Sequence, residues 1–93
     1  MIDHIVKRDG RTVPFDSEKI ASAIFKAAEA LGGHDYQTSQ SLANAVIAEL
    51  EAMLGGENPT VEQVQDTVER VLIENGHART AKEYILYLSL IHI

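Results

Sequence analysis

The dipeptide Asp9-Gly10 constrains the fold of this chain more than any other feature. It separates two short runs, 2–8 and 11–15, that have the apolar and β-branched pattern of β-strands. A two-residue Asp-Gly loop is typical of a hairpin, because a type I′ turn needs a positive φ at both central positions. The sequence therefore predicts an N-terminal β-hairpin with this dipeptide at its tip.

Positive charge collects at the tip of the predicted hairpin and at the start of the helix that follows it. In the predicted register Arg8 and Arg11 lie opposite each other with Lys7 beside them, an arrangement of like charges that is unfavourable on a two-stranded ribbon. Asp16 is a suitable N-cap for the helix, and Lys19 lies in its first turn, where the helix dipole disfavours a cation. Each cation alone fits an ordinary solvated surface, but a bound anion would account for all four together.

Four amphipathic segments follow the hairpin. Apolar residues spaced by three and four positions predict helices, and Gly or Asn-Gly follows each of the first three segments. Thr60 and Gln63 form a capping-box pattern at the start of the third helix, whose N-terminus is also a suitable anion site. We predict an α+β fold with the hairpin, a small antiparallel sheet, over a four-helix bundle; a third strand stays undecided. The predicted helices cover 17–31, a second segment that Thr38 or Ser39 would cap and that ends at 54, then 61–74, and 77 or 78 onward.

Composition excludes several classes of function. The chain of 93 residues contains no cysteine, which excludes disulfides and thiolate chemistry and fits a reducing, cytoplasmic setting. The four histidines are far apart in the sequence, so we expect no protein-ligated metal. A net charge of −6 argues against nucleic-acid binding. The N-terminus is too polar for a signal peptide, and no apolar run is long enough to cross a membrane.

Catalytic motifs are also missing from the sequence. There is no P-loop, no Rossmann glycine pattern, no GxSxG and no HExxH. We therefore predict no catalytic residues and favour a binding or regulatory module. The end of the chain, LSLIHI, carries no charge, and a helix that is apolar all round needs burial on every side. We expect residues 89–93 to be a non-native or truncated tail, outside a domain formed by 1–88.

The run VKRDGRTVPFDSEKI at 6–20 resembles the opening signature of the ATP-cone domain. This domain is the nucleotide-sensing module at the N-terminus of many ribonucleotide reductase large chains. The later run NPTVEQVQDTVERVLIENGHARTAKEYILY is also similar to the family, so the resemblance covers about residues 3–88. Its last part, GHARTAKEYILY, looks most like the anaerobic or cobalamin-dependent reductases.

The resemblance implies a function for the whole domain. ATP or dATP, with Mg²⁺, would bind as an allosteric ligand; ATP would keep the attached catalytic body of a ribonucleoside-triphosphate or -diphosphate reductase active, and dATP would switch it off by changing its oligomeric state. The expected partners are adenine nucleotides, that catalytic body and, in a homo-oligomer, further copies of the chain. By the same resemblance the domain is a lid of β-structure over a four-helix bundle.

The resemblance also assigns residues, and the charge pattern adds Arg11. The Lys7-Arg8 pair would contact the phosphates and base, the segment 13–16, which closes the hairpin, matches the family in position, and Thr60 matches the threonine at the start of the third helix. Val13 departs from the family, because several members have an acid there, and the basic residue usual near the end of the fourth helix would fall around Leu90. The predicted nucleotide-binding residues are Lys7, Arg8, Arg11, Val13, Pro14, Phe15, Asp16, Lys19, Thr60 and Val64.

Two other functions remain open at this point. A helical protein–protein interaction or oligomerisation module would use the apolar end of the chain as its contact surface. The same domain also occurs in a transcriptional repressor of reductase genes, behind a zinc ribbon. The lack of cysteine excludes that ribbon from these 93 residues, and the net charge of −6 disfavours DNA binding.

Overall fold

A computed structural model describes the backbone of residues 2–91 and the side chains of residues 2–86. Two antiparallel strands are followed by four helices, which confirms the predicted α+β fold. His92 and Ile93, the last two residues of the predicted tail, lie outside the described residues. The elements are β1 (His4–Val6), β2 (Thr12–Pro14), α1 (Glu18–Glu29), α2 (Tyr36–Leu54), α3 (Val61–Glu74) and α4 (Ala78–Ile91).

The register of the hairpin differs from the prediction by one residue. The strand pairs end with Val6 opposite Thr12, and the next opposed pair is Lys7 and Arg11, with the Lys7 N–H donating to the Arg11 carbonyl at 2.8 Å. Lys7 therefore faces Arg11, and the prediction that Arg8 does so was wrong. The strands are shorter than predicted, although this hydrogen bond continues the ladder beyond them.

The turn explains the change of register. The Gly10 N–H donates to the Lys7 carbonyl at 2.9 Å, and Gly10 has a φ of +89°. No non-glycine residue in the described chain has a positive φ, so Asp9 does not adopt the type I′ conformation. The loop contains three residues, a common hairpin connection with glycine in the left-handed position. Asp9 instead accepts a hydrogen bond from the Arg11 backbone N–H at 3.0 Å.

The start of α1 also departs slightly from the prediction. The N-cap is Ser17, whose side chain makes no capping hydrogen bond, so the prediction of Asp16 as the cap residue was wrong. The Asp16 carboxylate nevertheless accepts a hydrogen bond from the Glu18 N–H at 3.0 Å. It therefore satisfies one of the backbone donors that a helix N-terminus leaves free.

Helix α2 begins before the predicted capping residues. Asp35 is the N-cap, and its carboxylate accepts hydrogen bonds from the Thr38 N–H at 3.2 Å and the Thr38 hydroxyl at 2.7 Å. The prediction of Thr38 or Ser39 as the cap was therefore wrong, because aspartate one turn earlier supplies a better-placed acceptor. The helix ends as predicted, with Gly55 in the left-handed conformation.

The four helices pack in a ring around one apolar core. Helices α1 and α3 each pack against both α2 and α4. Their apolar stripes meet in the centre, as the sequence periodicity predicts. The largest fully buried side chains from these helices are Ile24, Val46, Leu50, Val68 and Leu72.

Three residues that the helical spacing predicts to face the core are exposed instead. Leu31, just after α1, and Ala45 on α2 are exposed, and of the alternatives Met53 and Leu54 at the end of α2, Leu54 is the one that packs partly buried against the core. Ile85 on α4 is also exposed, while Ala43 is buried within the core. The buried stripe of α2 is therefore shifted relative to the predicted one. This helix is apolar on more than one side, and packing against the neighbouring helices decides which side is buried.

The hairpin is attached to the beginning of α3. The Val6 N–H donates to the Pro59 carbonyl at 2.9 Å, and Val6 forms an isolated parallel bridge with Thr60. Pro59 is fully buried and Ile5 is nearly so. This contact, rather than a third strand, seats the hairpin beside the first turn of α3, and within the described residues the sheet has two strands.

Candidate functional site

An open cavity of about 670 Å³ lies beneath the hairpin. Its walls are the two strands, one face of α1, the first turn of α3 and a residue of α4. This volume is typical of sites that bind a small organic ligand. Because four elements that are distant in sequence contribute to it, the cavity exists only when the hairpin is seated on the bundle.

Four basic side chains line the cavity: Lys7, Arg11, Lys19 and Lys26. The three lysines make no ion pair with any residue in the described part of the chain. Lys19 and Lys26 are seven residues apart on one face of α1, which corresponds to about 10 Å along the helix axis. The cavity therefore offers unpaired positive charge at several points.

Arg11 differs from the lysines because it already has a partner. Its Nε lies 2.6 Å from Asp9 Oδ2. The hydrogen bond from the Arg11 backbone N–H, followed by that from its side chain, lowers the pKa of Asp9 below its ordinary value. Both side chains are more than half exposed, so this pair contributes little to stability.

The inner surface of the cavity is mainly apolar. Phe15 and Val13 come from the hairpin side, and Val64 comes from α3. A flat, weakly polar ring such as a nucleobase packs well against aromatic and aliphatic side chains. The apolar lining residues are Ile5, Val13, Phe15, Ile20, Val61 and Val64, with Pro14 and Ala23.

Tyr84 of α4 supplies a buried polar group to the lining. The residue is 4% exposed, and burial raises the pKa of its phenol to about 12. Its hydroxyl makes no hydrogen bond with the described residues, among which no fully enclosed side-chain nitrogen or oxygen lacks a partner. The hydroxyl is therefore not fully enclosed, and the cavity that Tyr84 lines is where a ligand could reach it.

The structure brings together most of the residues that the sequence and the resemblance singled out. Hairpin, α1 and α3 residues converge on one cavity although they are up to 57 positions apart in the sequence. The predicted residues that line it are Lys7, Arg11, Val13, Pro14, Phe15, Lys19 and Val64. Their contact with a ligand stays a prediction.

Arg8, Asp16 and Thr60 do not line the cavity. Arg8 turns to α3, where its Nε lies 2.8 Å from Glu62 Oε1. Thr60 forms the predicted capping box: its hydroxyl accepts from the Gln63 N–H at 3.1 Å, and its own N–H donates to Gln63 Oε1 at 2.8 Å. In this structure the Thr60 side chain therefore caps α3 through its hydroxyl group.

Several lining residues were missed as site residues in the sequence. Lys26 could have been found, because it shares a helical face with Lys19. The helical spacing of Tyr84 with the apolar residues of α4 indicates only a core residue and gives no sign that its hydroxyl reaches a cavity. Ser22 and Gln65 also line the cavity, and no motif distinguishes them from ordinary surface residues.

The described residues carry no other strong chemical signature. No group of three histidine, aspartate or glutamate side chains within 2–86 could hold a metal ion. In the same part of the chain, no helix is both long and apolar enough to cross a membrane. The basic cavity is thus the main candidate site in the described structure.

Comparison with known proteins identifies the family. The family model of the ATP cone domain matches residues 3–91. The chain belongs to the ATP cone domain family. Domains of this family in ribonucleotide reductases are allosteric, nucleotide-binding regulatory modules, and they bind ATP or dATP.

The similar proteins are ribonucleotide reductases of several types. The chain is 42% identical over 92 residues to a vitamin B12-dependent ribonucleoside-diphosphate reductase of Thermoplasma acidophilum. It is 37% identical over 87 residues to an anaerobic ribonucleoside-triphosphate reductase of Escherichia coli, and each match covers 94% of this chain and 12% of the relative. A ribonucleoside-diphosphate reductase subunit alpha of Chlamydia muridarum is 35% identical over 92 residues, covering 89% of this chain and 9% of the relative.

These matches confirm the resemblance to ATP-cone domains, including those of the anaerobic and B12-dependent reductases. The chain spans about a tenth of the length of these relatives. It contains no catalytic domain of a reductase, so any effect on catalysis requires residues outside the sequence.

Proposed function

We propose that this ATP cone domain binds ATP or dATP in the cavity beneath the hairpin and controls the overall activity of a ribonucleotide reductase body. One observation carries the proposal: three lysines that make no ion pair with any described residue line a mainly apolar cavity of nucleotide size. An anion would satisfy those charges, and a base would fill the apolar part.

The arrangement of the lining suggests how the ligand lies. The triphosphate would contact Lys7, Lys19 and Lys26, because each offers a mobile ammonium group without a partner. The base would pack against Phe15 and Val64. Mg²⁺ would be carried by the phosphates, since no carboxylate lines the cavity. Arg8, Asp16 and Thr60 would support the site from outside the lining.

Regulation would follow from the number of elements that the ligand joins. A nucleotide in this cavity would touch the hairpin, α1, α3 and α4 at once, so its binding would favour one orientation of the hairpin. With ATP bound, an attached, cytoplasmic reductase body would be in its active state, and with dATP bound it would be in an inactive assembly. Such a ligand can shift this equilibrium only by binding the two states with different affinity.

Calorimetric titration of the 93-residue chain with ATP, dATP and GTP in the presence of Mg²⁺ tests the binding. We expect micromolar binding of the adenine nucleotides. Changing both Lys7→Gln and Lys19→Gln should weaken ATP binding by at least about tenfold, because a hydrogen bond to a charged group is worth about 1.5–3 kcal/mol. Lys82→Gln is a matched control, since this exposed lysine of α4 does not line the cavity.

Two results would contradict the proposal. One is the absence of ATP binding by a chain whose circular dichroism shows the expected helices. The other is an equal effect of the paired cavity change and the Lys82 control. A separate experiment tests the regulation: the mass of the protein in solution is measured with each nucleotide. We expect dATP to change this mass and ATP not to change it.

A further inference from the structure

The two arginines of the hairpin are already paired, whereas its cavity lysine is not. Arg8 pairs with Glu62 of α3 and Arg11 pairs with Asp9 of the turn. Lys7 precedes Arg8 in the chain, lies opposite Arg11 and has no ion pair with any described residue. Arginine suits a fixed pair with a carboxylate, and lysine suits a mobile point charge. The arginines therefore help to shape the hairpin, and the lysine is available to bind an anion.

The Arg8–Glu62 pair joins the turn end of the hairpin to α3. The backbone contact between the hairpin and α3 ends at Val6, which donates to Pro59 at 2.9 Å. Two residues further on, Arg8 Nε reaches Glu62 Oε1 at 2.8 Å. This is a second contact between the hairpin and the same helix, placed at the turn. The hairpin is therefore joined to α3 at two points.

Glu62 is well placed to hold its partner. It lies in the first turn of α3, where the positive end of the helix dipole stabilises a carboxylate. The helix itself is fixed by the Thr60 capping box. Glu62 therefore presents a negative charge from a rigid element, and Arg8 lies outside the cavity lining while Lys7 and Arg11 belong to it.

We propose that Glu62 is a positioning residue for nucleotide binding: its ion pair with Arg8 holds the hairpin over the cavity, so that Arg8 acts through Glu62 and not on the phosphates. This inference rests on the proposed function. It separates Arg8 from Lys7, although the two are neighbours in the same motif.

A double-mutant cycle on the 93-residue chain, with Mg²⁺-ATP as the probe, tests the proposal. Glu62→Gln and Arg8→Gln should each weaken ATP binding about two- to fivefold, because both side chains are more than half exposed and such pairs are weak. The double variant should be no weaker than either single one. The charge-swapped pair, Arg8→Glu with Glu62→Arg, should restore most of the affinity. Asp66→Asn, which removes the same charge one turn along α3, should leave affinity unchanged.

A direct contact between Arg8 and the phosphates predicts different results. Glu62→Gln would then tighten ATP binding, because it frees Arg8 and removes a negative charge, and the swap would not rescue binding. Either outcome, or additive losses in the double variant, overturns the inference while leaving ATP binding by the wild-type chain intact. A wild-type chain that binds no ATP overturns the proposed function and this inference with it. The free energy of unfolding, followed in urea, should differ little among the variants.

Discussion

Replacing Tyr84 with phenylalanine removes one hydroxyl from the cavity wall and nothing else. Tyr84 is 4% exposed, lines the cavity and donates to no described residue. Stability and affinity should therefore change in opposite directions. This distinguishes a ligand contact from a structural role, in which both would fall together.

The effect on stability follows from the missing partner. In the free chain, burial leaves the hydroxyl with poor solvation and no acceptor among the described residues, and removing such a group is neutral or stabilising. The apolar ring keeps its packing against the core. We expect the free energy of unfolding of Tyr84→Phe to be equal to that of the wild type or higher by up to about 1 kcal/mol.

The effect on affinity has the opposite sign. If the hydroxyl donates to the bound nucleotide, its loss removes a hydrogen bond worth about 0.5–1.5 kcal/mol, which corresponds to a two- to twelvefold weaker Kd. Calorimetry with ATP measures this change, and urea denaturation of the free chain measures stability. Both experiments need only the 93-residue chain.

Tyr36→Phe is the matched control. It removes the same atom from an exposed tyrosine whose hydroxyl donates to Glu18 at 3.2 Å and which does not line the cavity. Its ATP affinity should equal that of the wild type. An unchanged affinity in Tyr84→Phe would refute the contact between the Tyr84 hydroxyl and the ligand, and a large loss of stability would refute the absence of a protein partner.

Two further predictions concern the fold. Because burial raises the pKa of Tyr84 to about 12, above its ordinary value near 10, this group binds its proton more tightly in the folded chain. The free energy of unfolding should therefore decrease between about pH 10 and 12, by up to about 1.4 kcal/mol per pH unit. Urea denaturation at a series of pH values measures this decrease, which should be smaller in Tyr84→Phe. Gly10→Ala places a side chain at a φ of +89° in open space, so it should lower the free energy of unfolding by about 1–2 kcal/mol through backbone strain alone; an unchanged urea midpoint would contradict this, and Gly10→Asn is the milder comparison.

Helix caps and helix ends were predictable from the sequence where their structure depends on one short segment. The capping box of Thr60 and Gln63 and the glycine that ends α2 formed as predicted. Each depends on hydrogen bonds or backbone angles within a few residues. The turn at Asp9-Gly10 shows the limit of such inference, since its hydrogen bonds to Arg11 and Lys7 favour a three-residue loop over the two-residue one.

The candidate site was predictable in part for the same reason. Lys7, Lys19 and Phe15 lie within one run of the sequence and line the same cavity. Arg8 lies in that run too, but a carboxylate 54 positions later pairs with it. The sequence predicts Tyr84 as a core residue, because the periodicity of apolar residues along α4 indicates burial and does not indicate where a hydroxyl group points.

The sequence alone determined the type and order of the elements of this protein, because helix periodicity, capping and turn residues act over one or two turns of chain. It also determined the family, since the motif at 6–20 and the match over residues 3–91 are properties of residue order. Only the tertiary structure decided which cations face the cavity and which pair internally. That outcome depends on how the hairpin lies on α3, and the contacts between them join segments more than fifty residues apart.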